Sequence, residues 1–138
     1  MKLYAVIDTN VLVSALLSKH TDSATVQVLD NIVSNNVIPL FNMEILSEYQ
    51  TVLGRTKFPF TADDISLLLS YITENGIECS RTYCDETFPD PKDIVFYEVA
   101  LSKEDSFLVT GNTRHFPAKP IVVTPAEFIK IIASVSAK

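Results

Sequence analysis

The feature that most restricts the fold is a set of short apolar runs that are continuous, not alternating. Leu3–Ile7, Val37–Phe41, Ile77–Ser80, Phe107–Thr110 and Ile121–Val123 are rich in β-branched and aromatic residues and are broken abruptly by polar ones. A strand that is apolar on both faces must be covered on both faces, which is the condition of a parallel sheet between two helical layers. Helical patterns separate the runs. Val11–Leu17 and Ala24–Val33 precede the second run, and the latter carries Val26, Leu29, Ile32 and Val33 at helical spacing. Asn42 is placed to cap a helix from Met43 to about Arg55, and Thr61-Ala62-Asp63-Asp64 opens another that Gly76 stops. Asp90-Pro91-Lys92-Asp93 sets an N-cap, a Pro at the first helical position and an acid in the first turn; Thr124-Pro125-Ala126-Glu127 repeats the device for the last helix. The expectation is an α/β fold: a single doubly wound domain over residues 1–138, three-layered and Rossmann-like, with a central parallel sheet of about five strands.

Length and charge narrow the chemistry. A chain of 138 residues suits one domain, able to bury roughly two-thirds of its unfolded surface. With 47% hydrophobic and 20% charged residues a globular chain is expected, not a disordered one. Gly numbers only 3, and neither GxGxxG nor GxxxxGK occurs, so no glycine-rich phosphate loop is expected. The formal net charge of −6 opposes nucleic-acid binding through cations alone. An acidic cluster can still receive a phosphate when divalent ions invert its potential. Cys79 and Cys84 form a lone C-x4-C pair, read as two reduced thiols and not a zinc site. Asp8 and Asn10 interrupt the apolar N-terminus before a signal peptide could form, and no run approaches the ~20 residues of a membrane span. A cytoplasmic protein without membrane contact is expected.

In open parallel sheets ligands bind beyond the C-terminal strand ends. Asp8 follows the first run directly, Asn112 follows the fourth after Thr110 and Gly111, and Asp93 opens the helix leading into the fourth. These converge if the first and fourth strands are neighbours. On the helix from Met43, Ile45, Leu46, Tyr49, Val52 and Leu53 form the apolar stripe. Glu48 then lies about 100° from its centre and Glu44 about 140°, so Glu48 is the edge carboxylate and Glu44 the solvated one. Each residue has a plainer reading: Asp8 as strand end and helix cap, Glu48 as a solvated acid, Asp93 as a partner of the helix dipole, Asn112 as a turn residue. Lys92 and Arg114 adjoin these motifs and His115 follows; they are candidate phosphate contacts and read equally as surface charges, with Arg55 and Lys57 weaker candidates still. His20 reads as an exposed loop residue and the Tyr and Phe residues as core.

In combination and order these segments resemble the PIN-domain family. Ile7-Asp8-Thr9-Asn10-Val11-Leu12-Val13-Ser14-Ala15-Leu16 is similar to its first motif. Glu44 to Tyr49 with Val52-Leu53-Gly54-Arg55 and Lys57-Phe58 resembles the second, Asp90-Pro91-Lys92-Asp93 with Ala100 the third, and Asp105 to Asn112 with His115-Phe116-Pro117 the fourth. Within the family the chain looks most like the VapC-type toxins of toxin–antitoxin systems. The resemblance implies a metal-dependent endoribonuclease in which Asp8, Glu48 and Asp93 take the acidic metal positions and Thr110 the strand-end hydroxyl. Asn112 stands where many members have a fourth acid, which keeps an oxygen but removes a charge. Mg²⁺ or Mn²⁺ suits ligands that are hard oxygens. RNA is the implied substrate, with a cognate antitoxin and a second copy of the chain as implied partners. Two alternatives stay open. One is a PIN module that binds RNA or protein without turnover. The other is phosphoryl transfer through an aspartyl phosphate, opposed by Asn10 where a phosphatase needs a second Asp.

Overall fold

The structure, a computed structural model, describes residues 2–136. Its strands are β1 (Leu3–Ile7), β2 (Val37–Phe41), β3 (Ile77–Glu78), β4 (Ser106–Val109) and β5 (Val122–Val123). The helices are α1 (Thr9–Leu17), α2 (Ala24–Val33), α3 (Met43–Leu53), α4 (Ala62–Asn75), α5 (Ile94–Leu101) and α6 (Pro125–Ser136). All strand pairings are parallel, in the order β3-β2-β1-β4-β5. The chain winds outward from β1 through β2 to β3, then crosses back to β4 and β5. The switch point therefore lies between β1 and β4, where Ile7 pairs with Val109.

Ala5, Val6 and Ile7 are essentially fully buried, as is every residue of β2, so helices cover both sheet faces as the continuous runs require. α1 packs on α2 and α2 on α6, while α5 packs on β1, β2 and β4. The caps act as expected. Asn42 accepts from Ile45 N, and Thr61 and Asp64 form a reciprocal capping box. Gly76 ends α4 where a Cβ would stand 2.4 Å from the Pro39 carbonyl oxygen, so the requirement there is close backbone approach.

Boundaries moved where local chemistry competed. The helix expected from Asp90 opens as a 3₁₀ turn, Pro91–Asp93, before α5 begins. α3 ends at Leu53, two residues short of Arg55, and the third run pairs only over Ile77–Glu78, at the exposed sheet edge. Cys79 and Cys84 are free thiols, and His20 is exposed, as expected. No described helix is long and apolar enough to cross a membrane.

Candidate active site

β1 delivers Asp8 to the switch point. Asp8 occupies the N-cap position of α1 yet makes no capping bond to that helix. Its Oδ2 instead accepts from Thr110 Oγ1 at 2.8 Å and from Asn10 Nδ2 at 3.3 Å. Thr110, fully buried one residue past β4, accepts in turn from the Asn112 backbone N–H at 3.0 Å. The hydroxyl proton is thus committed to Asp8, and the carboxylate is fixed across the β1–β4 junction. From below, the Tyr49 hydroxyl donates to the Ile7 carbonyl and ties α3 to the end of β1. Asp8 thus ends β1 and stands at the N-cap of α1, as the plainer reading has it, but its carboxylate is directed to Thr110 and Asn10 and makes no side-chain capping bond.

Asp8, Glu48, Asp93 and Asn112 line one open cleft of about 910 Å³, with Asn10, Ser14, Arg55, Phe58, Asp90, Lys92 and His115 among the other walls. Glu48 is half-buried there, while Glu44 points away and pairs with Arg81 at 2.9 Å. Glu48 thus stands at the edge of the α3 apolar stripe, half-buried where Glu44 is exposed. Arg114 does not line this cleft; it lies in a separate depression beside Phe116 and Pro117. Arg55, the weaker candidate from sequence, does line it. Thr9 Oγ1, the one buried side-chain polar atom without a partner among the described residues, belongs to a residue of the same wall.

His115 has a larger role than its sequence position suggested. Its Nδ1 lies 3.2 Å from Asp93 Oδ2, and its Nε2 lies 2.9 Å from Asn112 Nδ2. With Asn112 donating to Nε2, the ring proton sits on Nδ1 and is donated to Asp93. Asn112 is therefore held by a neighbour in place of carrying a charge of its own. The H-x-x spacing back to Asn112 across a 3₁₀ turn, Thr113–His115, was the available signal.

Burial dominates the electrostatics. The Asp8 carboxyl is pushed up from 3.8 to about 6 by desolvation, with the Asp93 charge adding to the rise and the Thr110 hydroxyl opposing it. Asp93 is also raised, by burial and then by the Asp90 carboxylate, against the pull of His115. Because the folded state holds the Asp8 proton more tightly, this group stabilises the fold fully below pH ~3.8, and that stability is lost as pH rises through about 6. In chelator, Asp8 alone is expected to lower stability by about 1 kcal/mol between pH 5 and 7, a drop of a few degrees in Tm by thermal melt. Saturating Mg²⁺ or Mn²⁺ at pH 7 should recover it. A melt unmoved by pH and metal alike would contradict a strained carboxylate pair.

Asp8, Glu48 and Asp93 offer oxygen donors only, in a cleft whose anionic forms repel each other. That donor set fits a hard divalent ion. Among the described residues no three or more His, Cys, Asp or Glu side chains are grouped closely enough to form a cage that could hold a metal ion. An ion that keeps several waters and takes one or two carboxylates directly needs no such cage.

No curated protein matches the chain. A family model described as PIN domain matches residues 4–114, from β1 through the turn that carries Asn112. The match covers most of the chain and is consistent with the five-stranded parallel sheet, and the chain belongs to the PIN-domain family, whose members are in general nucleases acting on nucleic acid with divalent metal ions.

Proposed function

We propose that this chain is one PIN domain acting as a metal-dependent endoribonuclease, the toxin of a toxin–antitoxin pair. The observation that carries the nuclease reading is Asp8: a buried carboxylate that forgoes its helix cap, is locked by Thr110, and shares a cleft with Asp93 and Glu48. Asp8 and Asp93 would hold Mg²⁺ or Mn²⁺. When bound, the ion supplies a Lewis acid for the scissile phosphate and lowers the pKa of water at neutral pH. Glu48, half-buried and free of hydrogen bonds among the described residues, orients the attacking water and accepts its proton. Lys92 and Arg55, neither of them ion-paired among the described residues, offset the acidic wall for an incoming phosphate backbone.

His115 positions Asp93. His115→Ala is expected to weaken Mn²⁺ binding by roughly 10- to 100-fold by calorimetry, the range seen when a ligand's orienting partner is removed. Binding unchanged from wild type would show that Asp93 needs no such support.

The toxin role rests on the resemblance in motif. A partner surface is further supported by an apolar depression between α1, α2 and α4, whose rim exposes Leu16, Val33 and Leu67. A cognate antitoxin, or a second copy of the chain, would cover it. The test is cleavage of a fluorophore–quencher RNA and its DNA counterpart with Mg²⁺, then Mn²⁺, then chelator, joined to growth of bacteria expressing the chain. Metal-dependent cleavage confined to RNA, with growth arrest, supports both parts; cleavage without arrest removes the toxin role alone. A second reading, a PIN module that binds RNA without cutting it, is favoured by one observation: the Asn112 amide is spent on His115 where many members carry a fourth acid. RNA retained but uncut in both metals would select it.

A further inference from the structure

The cleft has a second wall, built by the segment that follows α3. Phe58 donates its backbone N–H to the Arg55 carbonyl at 3.0 Å, closing a turn that sets Arg55 and Phe58 side by side on that wall. The Phe58 ring stacks on Phe60, with centroids 5.5 Å apart and planes 25° from parallel. Phe60 packs against the hydrophobic core, but Phe58 is not part of that cluster and stays half-buried. The result is an aromatic shelf: one half-buried ring packed against the core, the next resting on it at the edge of the cleft. The Lys57 ammonium lies 5.2 Å from the Phe58 centroid. Lys57 and Arg55 are exposed, and neither forms an ion pair among the described residues.

A core reading of Phe58 does not account for its half-buried place on the cleft wall, outside the buried cluster, or for the two cations beside it that form no ion pair among the described residues. A flat ring with flanking cations, next to carboxylates suited to phosphate chemistry, is the chemistry that receives a nucleotide: base on ring, phosphate on cation. Phe offers no hydrogen bond, so such a shelf accepts any base. Base stacking outweighs an exposed cation–π contact, so an incoming base displaces Lys57 from the ring and leaves its ammonium near the phosphate. A base within a duplex is already stacked on both faces and has none to offer.

We infer that Phe58, Arg55 and Lys57 form a nucleotide subsite on the second wall of the cleft that stacks one unpaired base of the bound strand on the Phe58 ring. This deepens, and rests on, the nuclease reading of the same cleft.

Binding separates the two readings, because it can be measured without turnover. In an Asp8→Asn background with Mg²⁺, fluorescence anisotropy reads the Kd of an RNA octamer, of octamers each carrying one abasic position, and of the octamer annealed to its complement. Phe58→Leu, which keeps an apolar contact with Phe60, is expected to weaken octamer binding about tenfold. One abasic position should cost the parent a similar factor and cost Phe58→Leu nothing more, and Phe58→Trp should retain affinity. Annealing should abolish the contribution of Phe58. If Phe58→Leu does not fold, Arg55→Gln at an exposed side chain should still weaken binding and lower the salt slope by about one. Unchanged affinity in Phe58→Leu, a duplex bound as tightly as the single strand, or no octamer binding at all overturns the inference. The nuclease reading is judged separately, by cleavage with the unsubstituted protein.

Discussion

Asp8→Asn is expected to lower RNA cleavage by on the order of 10³-fold while making the metal-free protein more stable at pH 7. Both effects have one cause. Asp8 is only 7% exposed, and its carboxyl is raised to about 6, so holding it ionised at neutral pH costs up to about 3 kcal/mol in folding free energy. Asn is nearly isosteric and can still accept from Thr110 through its carbonyl oxygen, so the cost of ionisation disappears with little loss of packing. The same charge is what an electrophilic cation and a phosphate would find at the cleft, and its removal takes away transition-state stabilisation of the size seen for single preorganised electrostatic groups. Activity and stability should therefore move in opposite directions, and the metal-induced rise in Tm should shrink in the variant. A purely structural Asp8 predicts the reverse pairing, with stability lost along with activity. A melt in chelator at pH 7 beside a cleavage assay in Mg²⁺ decides between them.

What could be read from the sequence, and what could not, divides along physical lines. The strands were legible because a continuous apolar run in a short chain has few places to go, and β1, β2 and β4 fall within a residue of expectation. Asp8, Asp93 and Asn112 could be brought together in advance because a parallel sheet places its strand ends on one rim, conditional on β1 and β4 being neighbours, as they are. Glu48 could be placed because a helix has a fixed angular period. The remaining site features lie on segments without a period. Nothing in the sequence says which way a loop residue faces, so Arg114 and Arg55 exchange places relative to expectation. Phe58 counts as core in composition, and only its exclusion from the buried cluster reveals the shelf. The pairing of His115 with Asp93 spans 22 residues and depends on how the 3₁₀ turns at Pro91–Asp93 and Thr113–His115 face each other.

Glu98 is the other residue whose loss should be large. It sits in α5 within a run of buried residues from Val95 to Ala100, where a carboxylate must find partners or neutralise. It finds them on the irregular segment between β3 and the 3₁₀ turn. Arg81 donates to Oε1 through Nε at 2.8 Å and ion-pairs with the same oxygen through Nη2 at 2.8 Å, and the Cys84 backbone N–H donates to Oε2 at 2.8 Å. These contacts hold the carboxyl below its usual range despite its burial. The same segment is clamped further along, where Glu86 accepts from the Tyr97 hydroxyl and Phe88 packs edge-on against Tyr97. Glu98 is thus the first anchor of the strap that ends at Asp90 and Asp93. Glu98→Ala is expected to destabilise the protein by about 3 kcal/mol, roughly 10 °C in Tm, because it leaves the Cys84 N–H unsatisfied and half of the Arg81 pairing undone. Arg81 retains Glu44 and some solvent, which keeps the cost below that of a fully buried pair. Glu98→Gln, which preserves an acceptor for Cys84, should cost about half as much. Combining Arg81→Met with Glu98→Ala should cost less than the two single losses added together, since each single change strands the other's partner. Full additivity in that cycle would mean that the strap is held by Glu86 and Phe88, and that the ion pair merely decorates it.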